Sequence, residues 1–217
     1  MSVEPDAVNA SSDDLRVVIE GDGGHGAYPH RVRDPILTLS HALVALQSVV
    51  SRRLDPMHPG VLSVSWIRAG SAENVISGRA EAGATLRANP TEDRGPLREA
   101  AREIVEHTAR AYGCTGRVEV TEGEPATVND PAFANAARSL LPAAGLALAP
   151  PLRSCSSDAF GFYGHVAASL MAFVGLEGAP GAPRAPLHHP RILPPEEAVR
   201  VVPRAQKVAY VAAASEG

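Results

Sequence analysis

The 217 residues are 45% hydrophobic and 20% charged, which is typical of a globular chain that forms one large domain or two small ones. A formal net charge of −4, without clustered basic residues, excludes a surface that attracts nucleic acid or an anionic membrane, and two cysteines exclude a disulfide framework. The acidic first fourteen residues are not followed by an apolar signal region, and no apolar run approaches the roughly 18 residues of a membrane span, so we expect a cytoplasmic protein.

In the first 123 residues, alternating apolar residues predict four strands, and apolar residues spaced three or four apart predict two helices. The predicted strands are 15–20, 61–67, 79–87 and 117–121. One helix follows the N-cap Asp34 and Pro35, and the other runs from the N-cap Thr91 to a stop at Gly113. The order βαββαβ predicts a ferredoxin-like domain over residues 15–123, with two helices on one face of an antiparallel sheet. Residues 1–14 are expected to form a tail.

The remaining residues, 124–217, have a different pattern. A helix is predicted from Asp130 to about Leu141, a short helix within 156–163, a buried strand over 167–174 and a final helix over 194–214. The strands predicted in this segment are too few to form an independent sheet domain.

The glycine cluster from Gly21 to Gly26 (GDGGHG) matches G-x-G-x-x-G after a strand. A dinucleotide site needs the third glycine to open a helix, but Tyr28 and Pro29 interrupt the segment, which argues against nucleotide binding. His25 and His30 lie on the same loop. Both could be solvated histidines of a surface loop. Alternatively, because glycines allow a ligand to approach the backbone closely, a histidine held there could donate a hydrogen bond to a developing oxyanion.

Other candidate site residues lie outside this loop. His188 and His189 stand between prolines, where one of them could face a metal or substrate or both could lie in a surface loop. Asn74 and Arg87 flank the third predicted strand and could hold a carboxylate, or be an ordinary turn asparagine and surface arginine. Cys155 has no nucleophile motif around it and is expected to be a buried structural cysteine.

Several segments together resemble one enzyme family. They are GGHGAYPHRVRDP at 23–35, ALQSVVSR at 45–52, AENVI at 72–76, TLR at 85–87, VNDP at 128–131, SDAF at 157–160 and LHHP at 187–190. In this order they are similar to the motifs of the zinc amidohydrolases that include hippurate hydrolase, N-acyl-amino-acid amidohydrolases and auxin-conjugate hydrolases. The resemblance covers the chain from about Asn9 onward.

The resemblance implies a fold and a set of roles. The fold would be α+β and α/β: a ferredoxin-like lid (dimerisation) domain, followed by the C-terminal half of an αβα zinc-exopeptidase-like catalytic domain. His25 would be the lid histidine that reaches into a partner subunit's active site and polarises the scissile carbonyl. Asn74 and Arg87 would help to hold the substrate, and His188 would be a ligand of the zinc ion.

The family's other metal ligands and its general base come from segments that precede the lid, and none of these occurs in the 217 residues. We therefore expect a truncated portion of an amidohydrolase of N-acyl amino acids, inactive by itself, that forms a homodimer through the lid. A separate N-terminal catalytic half is a further expected partner; nucleic acid and membrane are not. The alternatives are a non-enzymatic dimerisation or regulatory module and one chain of a split enzyme.

Overall fold

The computed structural model describes residues 1–175 and 189–216. Its strands are β1 (Asp6–Asn9), β2 (Ser11–Glu20), β3 (Gly24–His25), β4 (Gly60–Ala69), β5 (Val75–Ile76), β6 (Arg79–Ala88), β7 (Thr115–Glu122) and β8 (Thr127–Asn129). Its helices are α1 (Pro35–Ser48), α2 (Arg94–Ala111), α3 (Pro131–Leu140) and α4 (Glu196–Glu216). None of the helices in these residues combines the length and apolar character needed to cross a membrane.

The chain divides into two compact units. One, which we call the lid unit, comprises residues 9–126 and 155–159; the other, the terminal unit, comprises residues 1–8, 127–154 and 160–217. Residues 1–14, expected as a tail, contain β1 and the first part of β2. Val3 and Val8 are buried there.

The lid unit is built on a four-stranded antiparallel sheet in the order β4-β6-β2-β7. Leu15, Val17 and Ile19 of β2 belong to the same buried cluster as residues of α1 and α2, so both helices cover one face of the sheet. The other face, which we call the open face, carries the alternate side chains of each strand. This is the ferredoxin-like βαββαβ arrangement that the apolar patterns predict.

Local chemistry sets the helix boundaries. The Asp34 carboxylate accepts hydrogen bonds from the backbone of Ile36 and Leu37, which caps α1 as predicted. The predicted cap at Thr91 is wrong, because Thr91 opens a 3-10 turn without a side-chain bond and α2 begins at Arg94. Gly113 follows α2 with a φ of 73°, the left-handed conformation that ends helices.

A β-bulge in β4 moves its aromatic residue to the open face of the sheet. The register between β4 and β6 shifts between Val64 and Trp66, so that Trp66 lies opposite Gly83. A Cβ at Gly83 would overlap the indole and stand 2.7 Å from its Cζ2. The Trp66 ring therefore rests directly on the backbone of β6.

Replacing Gly83 with alanine is expected to push the indole off the sheet. Small-to-large changes of this kind cost about 1–3 kcal/mol of unfolding free energy. Trp66 is the single tryptophan, so its fluorescence should shift to longer wavelength in G83A. As a control, Gly164→Ala adds a methyl that meets only Ser169 Oγ at 3.5 Å and should leave the emission unchanged. An unshifted spectrum in G83A would show that the ring does not lie over Gly83.

Around Val18, the open face of the sheet also carries a closed ring of six alternating charges. Its members are Arg16, Glu81, Arg79, Glu20, Arg117 and Glu119, with each neighbouring pair 2.5–3.9 Å apart. Val18 is fully buried, although it does not belong to the cluster beneath the helices. The long side chains of the ring thus shield an apolar residue on the face of the sheet opposite α1 and α2.

In the terminal unit α3 and α4 pack together, and β1 pairs with β8. The strand predicted over 167–174 is wrong: Phe173 makes one isolated bridge with Ser2, and the backbone of Met171 bonds to the side chain of Asn129. An asparagine amide thus takes the place of a neighbouring strand at this point. The short helix predicted within 156–163 is a 3-10 turn over Ala159–His165.

Candidate functional site

The candidate site is a loop of the lid unit that is held by a small two-stranded sheet. Antiparallel pairing of β3 with β5 places Gly24 opposite Ile76 and His25 opposite Val75. The amide of Gly26 donates to the carbonyl oxygen of Asn74 at 2.8 Å. His25 and Asn74, two of the predicted site residues, are therefore brought side by side.

Glycine is required where the two segments approach each other. Gly23 has a φ of 65°, and a Cβ there would stand 2.7 Å from the nitrogen of Gly78 and 2.8 Å from the carbonyl oxygen of Ile76. A Cβ at Gly26 would lie 3.2 Å from the Asn74 oxygen. The glycines of this loop are therefore needed where its backbone touches the backbone of residues 74–78.

The His25 ring has a defined tautomer in its neutral form. Its Nδ1 accepts a hydrogen bond from the backbone amide of Ala27 at 3.0 Å, which leaves the proton on Nε2. The Tyr28 ring lies 5.5 Å from the imidazole, and the side chain of Arg31 stacks on Tyr28 at 5.3 Å. His25 itself is exposed, so Nε2–H can donate to a group outside this chain.

An ion pair closes the base of the loop. Arg33 Nε donates to Asp22 Oδ2 at 2.7 Å, Nη2 pairs with Oδ1, and Nη1 donates to the carbonyl oxygen of Gly113 at 3.3 Å. The hydrogen bond from Arg33 holds the pKa of the Asp22 carboxyl below its usual value. Sequence analysis missed this pair, for which the only signal is two opposite charges at the ends of a glycine-rich loop.

Arg87 is not part of this cluster. It lies eight residues along β6 from Arg79, which corresponds to about 26 Å of extended strand. Its Nη1 donates to the carbonyl oxygen of Cys155 at 3.2 Å and to Ser157 Oγ at 3.3 Å. Cys155 is a free cysteine and only partly buried, so the expectation of a buried structural residue is wrong.

The predicted metal ligand, His188, lies outside the described residues. Its neighbour His189 is described, and His189 Nδ1 accepts from the backbone amide of Arg191 at 3.1 Å. Residues 1–175 and 189–216 contain no group of three or more His, Cys, Asp or Glu side chains that could hold a metal ion. His25 and Asn74 are thus the only predicted site residues that this part of the structure places together.

Comparison with known proteins agrees with this architecture. Residues 9–113 match the family model described as the peptidase dimerisation domain. An IAA-amino acid hydrolase of Arabidopsis thaliana (ILR1-like 4) is 33% identical over 83% of the chain and 42% of its own length. The N-acetyl-L-cysteine deacetylase of Bacillus subtilis is 32% identical over 78% of the chain and 41% of its own length.

A solved structure shows the same fold. The YXEP protein of Bacillus subtilis, described as a dinuclear metal binding peptidase from the M20 family, superposes with a TM-score of 0.78 at 25% identity. The match covers 97% of the chain and 52% of the YXEP chain. The present chain thus spans about half the length of the relatives it matches.

The βαββαβ domain, with its glycine-rich histidine loop, is a peptidase dimerisation domain. Residues 9–113 thus belong to the peptidase dimerisation domain family, and the homologues and structural neighbours of the chain include a deacetylase, an IAA-amino acid hydrolase and a metal-binding peptidase of the M20 family. The resemblance recognised in the sequence motifs is confirmed.

Proposed function

We propose that the chain is the lid and C-terminal portion of a zinc-dependent amidohydrolase that cleaves N-acyl amino acids or related amides. The observation that carries the proposal is the pairing of β3 with β5, which holds His25 beside Asn74 with its Nε2–H free to donate outward. A hydrogen-bond donor fixed in this way is suited to an amide carbonyl whose oxygen gains negative charge.

The roles of the chain's own residues follow from their chemistry. His25 donates from Nε2 to the carbonyl oxygen as it becomes an oxyanion. Asn74, through its amide, and Arg87, through its guanidinium, bind the substrate's carboxylate. Zinc would supply the activated water, but His188 is a single candidate ligand and the described residues hold no metal cluster. Most of the zinc ligands would therefore come from residues outside these 217.

Two copies of the chain are needed to bring these groups to one substrate. About 26 Å of strand separates Arg87 from the end of β6 that adjoins the His25 loop. Arg87 and His25 of one chain are therefore too far apart to touch the same small amide. A lid histidine that acts on the partner's substrate resolves this separation. The proposed partner is therefore a second copy, joined through the lid.

The edge of the lid sheet at β4 is the proposed dimer contact. The outer side of β4 pairs with no strand in the described residues, and an unpaired edge is a template for another strand. Exposed apolar side chains lie on β4 and the adjoining α1: Ile36, Leu37, Val44 and Ile67.

Light scattering should give the mass of a dimer, and Ile67→Lys should shift it toward the monomer. The control Val166→Lys, also at an exposed valine, should remain dimeric. A monomeric wild type would refute the proposal.

Hydrolysis is tested with the purified chain and zinc. We expect no turnover of an N-acetyl amino acid by the chain alone, and turnover when a segment that carries the missing ligands is supplied. In that complex His25→Ala should lower kcat about 10²–10³-fold, the usual effect of removing an oxyanion donor. His30→Ala, on the same loop, is the control and should have little effect. Zinc-dependent turnover by the chain alone would refute its proposed inactivity.

A second candidate is a non-enzymatic dimerisation or regulatory module, a role that needs no more than the peptidase dimerisation domain matched by residues 9–113. Such a module would form dimers but gain no activity from any supplied catalytic segment. A split enzyme would instead be restored by a separate polypeptide that carries those ligands. Mixing the chain with that polypeptide distinguishes the two.

A further inference from the structure

The terminal unit contains a groove of about 350 Å³ between the end of α3 and one face of α4. Its apolar lining comes from both sides: Leu140, Ala143, Ala144, Val208 and Val211. Val208 and Leu140 also contact the buried cluster of this unit, so the floor of the groove is continuous with the core. An apolar groove of this volume is typical of a site for a small ligand.

Two cations complete the lining. Arg204 and Lys207 are three residues apart on α4 and therefore share a face of the helix. The Arg204 Nη1 atom comes within 3.7 Å of the position that a Cβ would take on Gly145, which follows the 3-10 turn at the end of α3. The guanidinium thus lies close to the wall opposite its own helix.

Neither cation pairs with a carboxylate among the side chains that the structure describes. The contrast is Arg200, one turn earlier on α4, which pairs with Glu196 at 2.5 Å. None of the described residues that line the groove is acidic. The groove therefore combines an apolar floor with two unneutralised positive charges, and this combination is complementary to an amphipathic anion.

We propose that this groove binds an acyl carboxylate, with the carboxylate on Arg204 and Lys207 and the alkyl chain along Leu140 and Val208. The guanidinium can bind a carboxylate through two parallel hydrogen bonds, and the ammonium adds a second charge. The alkyl chain gains from leaving water. The site requires neither turnover nor His25, so it stands apart from the proposed hydrolysis.

The rival explanation is structural. Cations near the carbonyl end of α3 interact favourably with the helix dipole without any ligand. This role changes stability but creates no dependence on an added carboxylate. Ligand binding is therefore the measurement that separates the two explanations.

The test is titration of octanoate into the isotope-labelled chain, followed by NMR. Lys207 is the single lysine, so its side chain gives one assignable signal. We expect saturable shifts of Lys207, Val208 and Val211. Affinity should increase from hexanoate through octanoate to decanoate, by up to about fourfold for each methylene, the limit for complete burial.

Matched variants locate the ligand. Arg204→Gln combined with Lys207→Gln should weaken octanoate binding about tenfold or more, because hydrogen bonds to charged groups are lost. Ala143→Phe, at an exposed lining position, should block the groove. Arg200→Gln removes the paired cation outside the groove and should bind octanoate like the wild type. Circular dichroism of each variant confirms that the helices remain.

Four results would overturn the proposal. The first is the absence of saturable shifts. The second is binding of octanol as tight as that of octanoate, which would indicate adsorption to an apolar surface. The third is unchanged affinity in the double variant. The fourth is shifts that depend on protein concentration without octanoate, which would mean that a second copy of the chain fills the groove.

Discussion

Replacing Asp13 with asparagine is expected to lower the free energy of unfolding of the lid unit by about 3–5 kcal/mol, the usual cost of breaking a buried ion pair on one side. The Asp13 side chain is completely buried. It accepts hydrogen bonds of 2.9 and 2.6 Å from Arg94 and of 2.7 and 2.6 Å from Arg98. Asparagine would leave the mostly buried Arg94 without a carboxylate and Arg98 with only its ion pair to the exposed Glu122. Urea unfolding measures the loss.

The adjoining residue supplies a matched control. Asp14 is exposed and, in the described part of the chain, makes no ion pair. Asp14→Asn removes the same charge one position further along the same strand and should change stability by no more than about 0.5 kcal/mol. If the two variants lose equal stability, the effect reflects net charge or strand propensity, and the buried cluster does not stabilise the fold.

The pH dependence of the Asp13 effect has a definite sign. Burial acts to raise the pKa of Asp13, but the hydrogen bonds and charges of Arg94 and Arg98 outweigh it and hold the pKa below its usual value. A carboxyl whose pKa is lower in the folded state stabilises the fold at any pH above its unfolded pKa, which is about 3.9 for aspartate. This stabilisation is lost as the pH falls through the pKa of the folded state. The stability gap between wild type and D13N should be constant near neutral pH and narrow below about pH 4.

Asp13 also shows where sequence patterns fail. The strand was predicted to begin at Leu15 because the residues from Ser11 to Asp14 are polar, and polar side chains usually face water. In the structure β2 begins at Ser11, because Arg94 and Arg98 approach from a helix that lies some 80 residues later in the chain. No local pattern contains such a distant pairing.

Trp66 is a second example. Strict alternation from Leu62 through Val64 would place Trp66 on the helix side of the sheet. The bulge reverses this, and Ser65 is the extra residue. The sequence signal for this arrangement was Gly83, since a glycine inside a strand often marks a bulge or a group that lies close to the strand backbone. In contrast, the order of strands and helices was predictable, because it depends on apolar periodicity within each segment.

The candidate site was predictable only in part. The pairing of His25 with Asn74 depends on β3 and β5, each two residues long, which is too short for any periodic pattern. Sequence motifs selected both residues through the family resemblance. The contact between them, and the Asp22–Arg33 pair beneath, required the fold.

Replacing Gly23 with alanine tests whether this small sheet holds the site together. We expect a loss of at least about 2 kcal/mol in the stability of the loop, from a left-handed backbone that disfavours alanine and from overlap of the new methyl with the backbone of Ile76 and Gly78. Hydrogen exchange of the Gly26 amide, which donates to Asn74, measures this loss directly.

The control variant is expected to change the stability in the opposite direction. Gly95 lies in the first turn of α2 with nothing within 4 Å of a Cβ, so Gly95→Ala should stabilise the lid unit by about 0.5–1 kcal/mol. In G23A, exchange should accelerate at Gly26 but not along β2, because the loop can open while the main sheet stays intact. Unchanged exchange at Gly26 would mean that Asn74 does not hold the His25 loop, and the proposed oxyanion donor would then have no fixed position.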